Sequence, residues 1–288
     1  MFRIFKIKTL LLATLSVAAV SATAQDNKRL LERGTYLMNG IVACGNCHVQ
    51  REKGKPLPER GLSGGMVFDE EPFKAYAPNI TPDPETGIGK WTDVQLARAI
   101  REGIRPDGTV IGPPMPMAFY RDLADDDLAA IVAYLRAQPP VKNVVPKSEY
   151  RMKLPPNYGP PIKAKVTAPS ANDAVKYGAY LAGPMGHCVE CHTPWVKGQP
   201  DMTRLGAGGN PFKGPWGVAV SRNLTPHESG LKGWSDAEIA RAIQEGVRKD
   251  GSPLKPPMAY AWYKNINADD MKALTAYLRS LKPLPFGG

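Results

Sequence analysis

Two short runs constrain this chain more than any other feature: Cys44-Gly45-Asn46-Cys47-His48 and Cys188-Val189-Glu190-Cys191-His192. Each is a C-x-x-C-H pattern, the attachment pattern of c-type haem. Two thiols three positions apart can each add to one of the two vinyl groups of a porphyrin, forming thioether bonds. The histidine that follows then lies under the ring with an imidazole nitrogen toward the iron. A C-x-x-C pair can also be a thioredoxin-like redox pair, half of a zinc site or a structural disulfide. Here all four cysteines of the chain are consumed by the two motifs. A four-thiolate zinc site needs no histidine after each pair, and no βαβ pattern surrounds either run. The expectation is two covalently bound haem c groups, attached at Cys44, Cys47, Cys188 and Cys191, with His48 and His192 as iron ligands.

The motifs belong to a longer repeat of about 143 to 144 residues. Gly34-Thr35-Tyr36-Leu37 returns as Gly178-Ala179-Tyr180-Leu181, and Asn79-Ile80-Thr81-Pro82 as Asn223-Leu224-Thr225-Pro226. Trp91 matches Trp234, Leu96-Ala97-Arg98-Ala99-Ile100 matches Ile239-Ala240-Arg241-Ala242-Ile243, and Ala133-Tyr134-Leu135 matches Ala276-Tyr277-Leu278. A domain-sized period with order and spacing kept is a tandem duplication, not a solenoid.

Each copy reads as helical. A first helix is expected over 28–39 and over 173–182, leading into the haem motif. A second opens at the capping boxes Thr92-Asp93-Val94-Gln95 and Ser235-Asp236-Ala237-Glu238, and Gly103 and Gly246 read as its C-terminal stops. The last helix runs over 125–137 and 267–280, with apolar residues at helical spacing. Asn267 caps the second of these, whereas Ala124 stands at that place in the first copy. First and last helices should pack together. The expected fold is all-α: two tandem domains, 25–140 and 171–288, joined by a Pro- and Lys-rich linker, 141–170, that reads as a semi-rigid spacer.

The sixth position of each iron decides function. Met115 and Met258 are the candidates, each in a Pro-Pro-Met run 66 or 67 residues past its histidine. A methionine is more often core filler, but the run recurs at matching positions. Met117 is the rival in the first copy, where the second has Tyr260. His/Met ligation fills both axial sites, disfavours oxygen or peroxide binding and favours outer-sphere electron transfer. His187 and His227 lack counterparts and read as surface residues. Asn79, Asn223, Trp91, Trp234, Arg98 and Arg241 recur, and could hydrogen-bond haem propionates or simply shape loops and helix packing.

The amino terminus has a basic start, an apolar stretch over 9–22 and Ala22-Thr23-Ala24, the pattern of a cleaved secretory leader over 1–24. This places the mature chain in the periplasm. The formal charge is +10, of which Arg3, Lys6 and Lys8 of the leader contribute three. A mildly basic carrier suits an acidic partner face. Basic residues are dispersed and no nucleic-acid motif appears, so nucleic acid is discarded; membrane contact is at most peripheral.

The order C-x-x-C-H, Ser-Gly-Gly, Pro78-Asn79-Ile80-Thr81-Pro82-Asp83 with Thr86-Gly87-Ile88-Gly89, Trp91, Ala-Ile-Arg-Glu-Gly, Pro-x-Met-Pro and Ala-Tyr-Leu resembles the cytochrome c subunits of membrane-associated bacterial alcohol, aldehyde and gluconate dehydrogenases. The resemblance implies a class I cytochrome c fold in each half. It also implies an electron-transfer protein rather than an enzyme, receiving electrons from a periplasmic dehydrogenase and passing them toward an oxidase or another cytochrome of the respiratory chain. Those subunits usually carry three haem domains, whereas this chain has two. The alternative is a dihaem enzyme, a peroxidase or a thiosulfate-oxidising cytochrome, which needs one open or displaceable iron site and a distal acid–base group; similar methionine loops in both halves argue against it.

Overall fold

The computed structural model describes residues 25–52, 55–214 and 216–288, and the expected leader at 1–24 lies outside them. The first half contains α1 (25–39), α2 (Gly45–His48), α3 (Asp93–Glu102), the single turn α4 (Met117–Tyr120) and α5 (Asp125–Arg136). The second half repeats the order with α6 (Ala174–Tyr180), α7 (Cys188–His192), α8 (Asp236–Glu245), α9 (Tyr260–Tyr263) and α10 (Ala268–Ser280). The sequence signals for the ends of these helices operate as read. Thr92 and Gln95 exchange the two bonds of a capping box at the start of α3, as do Ser235 and Glu238 at α8. Gly103 (φ 69°) and Gly246 (φ 70°) close the same helices in the left-handed conformation. One boundary differs: α6 stops at Tyr180 and the chain continues as a π-type turn over Leu181–Met185, which contains Pro184. Proline has no N–H to keep the regular ladder going.

The all-α expectation is corrected. Small antiparallel hairpins follow each haem motif: Val67–Glu70 with Phe73–Tyr76, and Pro211–Gly214 with Gly217–Val220. Shorter two-residue ladders precede them at Arg51–Glu52 with Lys55–Pro56 and at Trp195–Val196 with Gln199–Pro200. Runs of Val, Phe and Tyr bounded by tight turns favour a pleated surface, a signal that a helical period cannot register.

The spacer reading is also corrected. The segment after α5 lies on the first half as a strap. Glu149–Tyr150 adds a strand to the first hairpin. The Tyr150 hydroxyl donates to Pro113 O (3.1 Å) and the Tyr158 hydroxyl to Ile111 O (2.8 Å). Asp125 N–H, at the start of α5, donates to Val166 O (2.9 Å). Proline here stiffens a segment that is held by its own contacts.

The first and last helices of each half cross at a glycine. A Cβ on Gly34 would lie 2.0 Å from Ala130 O, and one on Gly178 2.0 Å from Ala273 O. Arg136 and Arg279 fasten the far ends of α5 and α10: each guanidinium donates to the carbonyls of Ile88 and Trp91, or Leu231 and Trp234, and pairs with Asp93 or Asp236. Most buried apolar residues of the two halves run together in one core, with Leu37, Ile41, Leu123 and Ile131 of the first half and Leu181, Met185, Tyr263 and Leu274 of the second, while Leu231, Ile239, Leu278 and Leu281 form a smaller cluster of their own.

The seam between the halves is reciprocal. The Tyr180 hydroxyl accepts from Ala124 N–H (3.0 Å) and donates to Asp127 Oδ2 (2.7 Å), both at the start of α5. The Tyr36 hydroxyl accepts from Asn267 N–H (3.2 Å) and donates to Asp270 Oδ2 (2.6 Å), at the start of α10. Ala124 has no side chain with which to cap its helix, and the Tyr180 hydroxyl meets the N–H of Ala124 itself, as Tyr36 meets that of Asn267. Burial, then the neighbouring carboxylate, holds both phenols above their ordinary range. Asp127 is buried and also accepts from Arg33 Nε (2.8 Å). Tyr180→Phe would leave Ala124 N–H and one carboxylate oxygen without their partner, at a cost of about 2 kcal/mol. Denaturant midpoints for Tyr180→Phe and Tyr36→Phe check this; a loss below about 0.5 kcal/mol would mean that water replaces these bonds.

Candidate haem sites

Each C-x-x-C-H run forms one short helix, so its three functional side chains leave a single turn. Cys44 is the N-cap of α2 and His48 its last residue, with His48 N–H donating to Cys44 O (2.9 Å). The residue before each first cysteine has positive φ, 49° at Ala43 and 38° at His187. A non-glycine residue in this region is uncommon and collects at functional sites; here the same outlier occurs at the same step of both copies. All four cysteines are free of disulfides. Burial pushes their thiols up, Cys44 to about 12 and Cys47 and Cys188 to about 11, with Cys191 raised also. Among the described residues, no three His, Cys, Asp or Glu side chains converge as a metal-binding group.

The two histidines share one arrangement. His48 Nδ1 lies 2.9 Å from Pro78 O, and His192 Nδ1 lies 2.7 Å from Arg222 O. Each accepting carbonyl precedes the asparagine of the Asn-x-Thr-Pro loop. A carbonyl accepts only, so the proton sits on Nδ1 and the Nε2 lone pair is left for a metal. Burial lowers the pKa of both imidazoles, opposed by these bonds, and favours the neutral, ligating form.

The methionine loops are equally alike. The Pro113-Pro114 and Pro256-Pro257 peptide bonds are cis, and Met115 and Met258 are partly buried against the core that also receives Cys44 and Cys188. Met117, the rival, is buried completely and packs against Gly103, 3.2 Å from the site of a Cβ there; its counterpart Tyr260 packs against Gly246 in the same way. Met117 therefore holds a core position, and Met115 the loop position. A cysteine pair, a histidine with its Nε2 free, a partly buried thioether and a surrounding apolar wall fit a covalently held haem in both halves.

Of the recurring residues, the two asparagines bracket loops. Asn79 Nδ2 donates to Val141 O (2.8 Å) and Thr86 Oγ1 (3.0 Å), while its Oδ1 accepts from Thr81; Asn223 repeats this with Leu284, Ser229 and Thr225. Arg98 pairs with Glu102 along its own helix and Arg241 donates to Arg248 O. Trp91 and Trp234 pack against the cores. His187 is not a plain surface residue: its ring stands edge-on to Tyr120 of the other half (6.0 Å) and Nδ1 lies 3.3 Å from Glu190. His227 Nδ1 accepts from Ser229 in its loop.

The two attachment helices lie at the seam. Asn46, inside the first motif, donates from Nδ2 to Pro257 O (3.1 Å) in the methionine loop of the second half. Gly45 lies against the Trp262 indole, and a Cβ there would sit 2.6 Å from its Nε1. Sequence reasoning missed this contact; a glycine inside one motif, where the other has Val189, was its sole trace.

The family model for cytochrome c matches residues 31–139 and again 175–282, so each matched region holds one C-x-x-C-H run. The chain is 31% identical to the cytochrome c subunit of alcohol dehydrogenase (quinone) from Gluconobacter oxydans (strain 621H), over 96% of this chain and 61% of that protein. It is 28% identical to the cytochrome c subunit of gluconate 2-dehydrogenase from Pantoea cypripedii, over 96% of this chain and 64% of the relative. It is 29% identical to a diheme cytochrome c-type protein of Cereibacter sphaeroides, over 82% and 81%. The chain thus spans less than two thirds of the dehydrogenase subunits it matches. Two matched regions, two complete attachment motifs and two matching histidine settings make this chain a member of the cytochrome c family, with two covalently bound haem c groups.

Proposed function

We propose that this protein carries electrons from a dehydrogenase toward the respiratory chain, as a periplasmic partner or subunit of that dehydrogenase. The observation that carries the reading is the sameness of the two sites: His Nδ1 on a carbonyl, and a Pro-Pro-Met loop, in both halves. Bound haem c supplies a one-electron iron couple. Cys44 and Cys47, and Cys188 and Cys191, would attach the groups; His48 with Met115, and His192 with Met258, would hold the irons. Pro78 O and Arg222 O hold the proton of each imidazole on Nδ1 and would leave Nε2 to the iron. Met115 and Met258 would keep exchangeable ligands off the iron, which suits outer-sphere transfer over substrate chemistry. Asn46 ties the first attachment helix to the second methionine loop, which supports passage of electrons within the chain. Similarity to subunits of alcohol and gluconate dehydrogenases supports a dehydrogenase as donor, and an oxidase or second cytochrome is the acceptor in this reading. The export pattern over 1–24 supports the periplasm, and no helix among the described residues is long and apolar enough to cross a membrane.

Absorption spectra of the purified holoprotein, with haem counted after alkaline pyridine denaturation, test the reading. The expected result is two haems per chain, both low-spin, with a far-red methionine-to-iron band. A high-spin haem, or one that reacts with peroxide, would overturn it in favour of an enzyme.

A further inference from the structure

Because the halves are copies, each shows what can occupy the other's surfaces. In the first half Phe73–Tyr76 is not an edge strand. Glu149–Tyr150 lies antiparallel on it, Tyr150 opposite Phe73 and Glu149 opposite Lys74. Tyr76 N–H donates to Ser148 Oγ (3.0 Å). Arg151 then donates to Glu71 O (2.7 Å) and Glu70 O (2.5 Å), with Nη2 3.8 Å from Asp69 Oδ1. A segment carrying Lys147, Arg151 and Lys153 around its strand has been laid on a hairpin that carries Asp69, Glu70 and Glu71.

In the second half Gly217–Val220 takes the place of Phe73–Tyr76, and among the described residues it pairs only with Pro211–Gly214. Val218 is 52% and Val220 41% exposed. An apolar edge with neither charge nor proline is a surface that chains ordinarily protect from pairing. The charge has also changed sign: Lys213 stands where the first hairpin has Asp69, and Gly214 where it has Glu70. The surrounding half agrees, with fourteen basic against ten acidic residues over 171–288, compared with fourteen against sixteen over 25–140. Lys255, exposed, occupies the position of Gly112, on which the Tyr150 ring lies in the first half.

We propose that the Gly217–Val220 edge is the docking strand for the protein with which this carrier exchanges electrons, and that the partner adds an extended, acidic segment antiparallel to it. The identity of the partner rests on the electron-carrier reading; the strand addition does not. In strand addition the main chain supplies affinity and alternate side chains supply selectivity. An acidic side chain at the position of Arg151 would meet Lys213 rather than Asp69. A second copy of this chain is a poor occupant, since its strap segment is basic and already paired. Tyr150 reaches Pro113 O from the first strand, so a segment on the second edge would lie beside the Met258 loop. Electrons then enter or leave through the second half, while the strap covers the same face of the first.

The reduced, nitrogen-15-labelled holoprotein is titrated with two synthetic peptides at low salt. One has the sequence of residues 145–154; the other has Lys147, Arg151 and Lys153 replaced by Glu. The acidic peptide is expected to shift the amide signals of Val218 and Val220 and to bind about tenfold more tightly than the basic one. Lys213→Glu should erase that preference. Val220→Pro, which deletes the donor corresponding to Tyr76 N–H, should abolish the shifts and leave both haem spectra unchanged. No shift at this edge with either peptide, or preference for the basic one, would overturn the proposal. So would a dimer that Val220→Pro dissociates, since a second copy would then be the occupant. The haem spectrum decides the carrier reading separately, so the two failures are distinguishable.

Discussion

Gly34→Ala and Gly178→Ala are each expected to destabilise the holoprotein by about 2 kcal/mol. Two effects oppose one another. In an isolated helix, alanine is better than glycine by about 1 kcal/mol. At these positions the new Cβ would fall 2.0 Å from a carbonyl oxygen of the last helix, Ala130 O or Ala273 O. That oxygen belongs to backbone and cannot swing aside, so the helices must separate, at an overpacking cost of about 3 kcal/mol. The steric effect wins and the sign is set by the crossing, not by propensity. Guanidinium midpoints measure it. A variant more stable than the parent would show that the helices do not cross so closely.

Met115→Ala and Met258→Ala are expected to change the spectrum more than the stability. Each should remove about half of the far-red methionine band, leave one iron high-spin and allow it to bind added imidazole; the double variant should lose the band entirely. Met117→Ala should do the reverse. That side chain is 1% exposed, and truncating a buried methionine costs about 2 to 5 kcal/mol, with both haems still low-spin. If Met117→Ala alters the spectrum while Met115→Ala does not, the ligand assignment is wrong.

Much of this was readable from residues because the chain states it twice. The capping boxes at Thr92 and Ser235 and the left-handed stops at Gly103 and Gly246 needed only local chemistry. Position-specific, long-range contacts were not readable. The bond from Ala124 N–H to the Tyr180 hydroxyl joins residues far apart along the chain. Asn79 and Asn223 looked able to reach a propionate; their polar atoms bond within their own loops and to Val141 O or Leu284 O, in the segment after the last helix of each half. Arg136 and Arg279 follow the repeated Ala-Tyr-Leu directly, so the duplication held their signal. The strap read as a spacer because proline content reports stiffness and says nothing of what a segment touches. The hairpins escaped a reading tuned to helical spacing.

The bonds at the seam obey a rule of exchange: Tyr36 of one copy serves the last helix of the other, and Tyr180 returns the service. Such mutual contacts are the mark of an isologous interface, in which one patch meets its own image. A half of this chain made alone would therefore expose a self-complementary face and an uncovered share of the common core. It would pair with a second copy of itself, rebuilding by two-fold association what the covalent duplication has made permanent and independent of concentration.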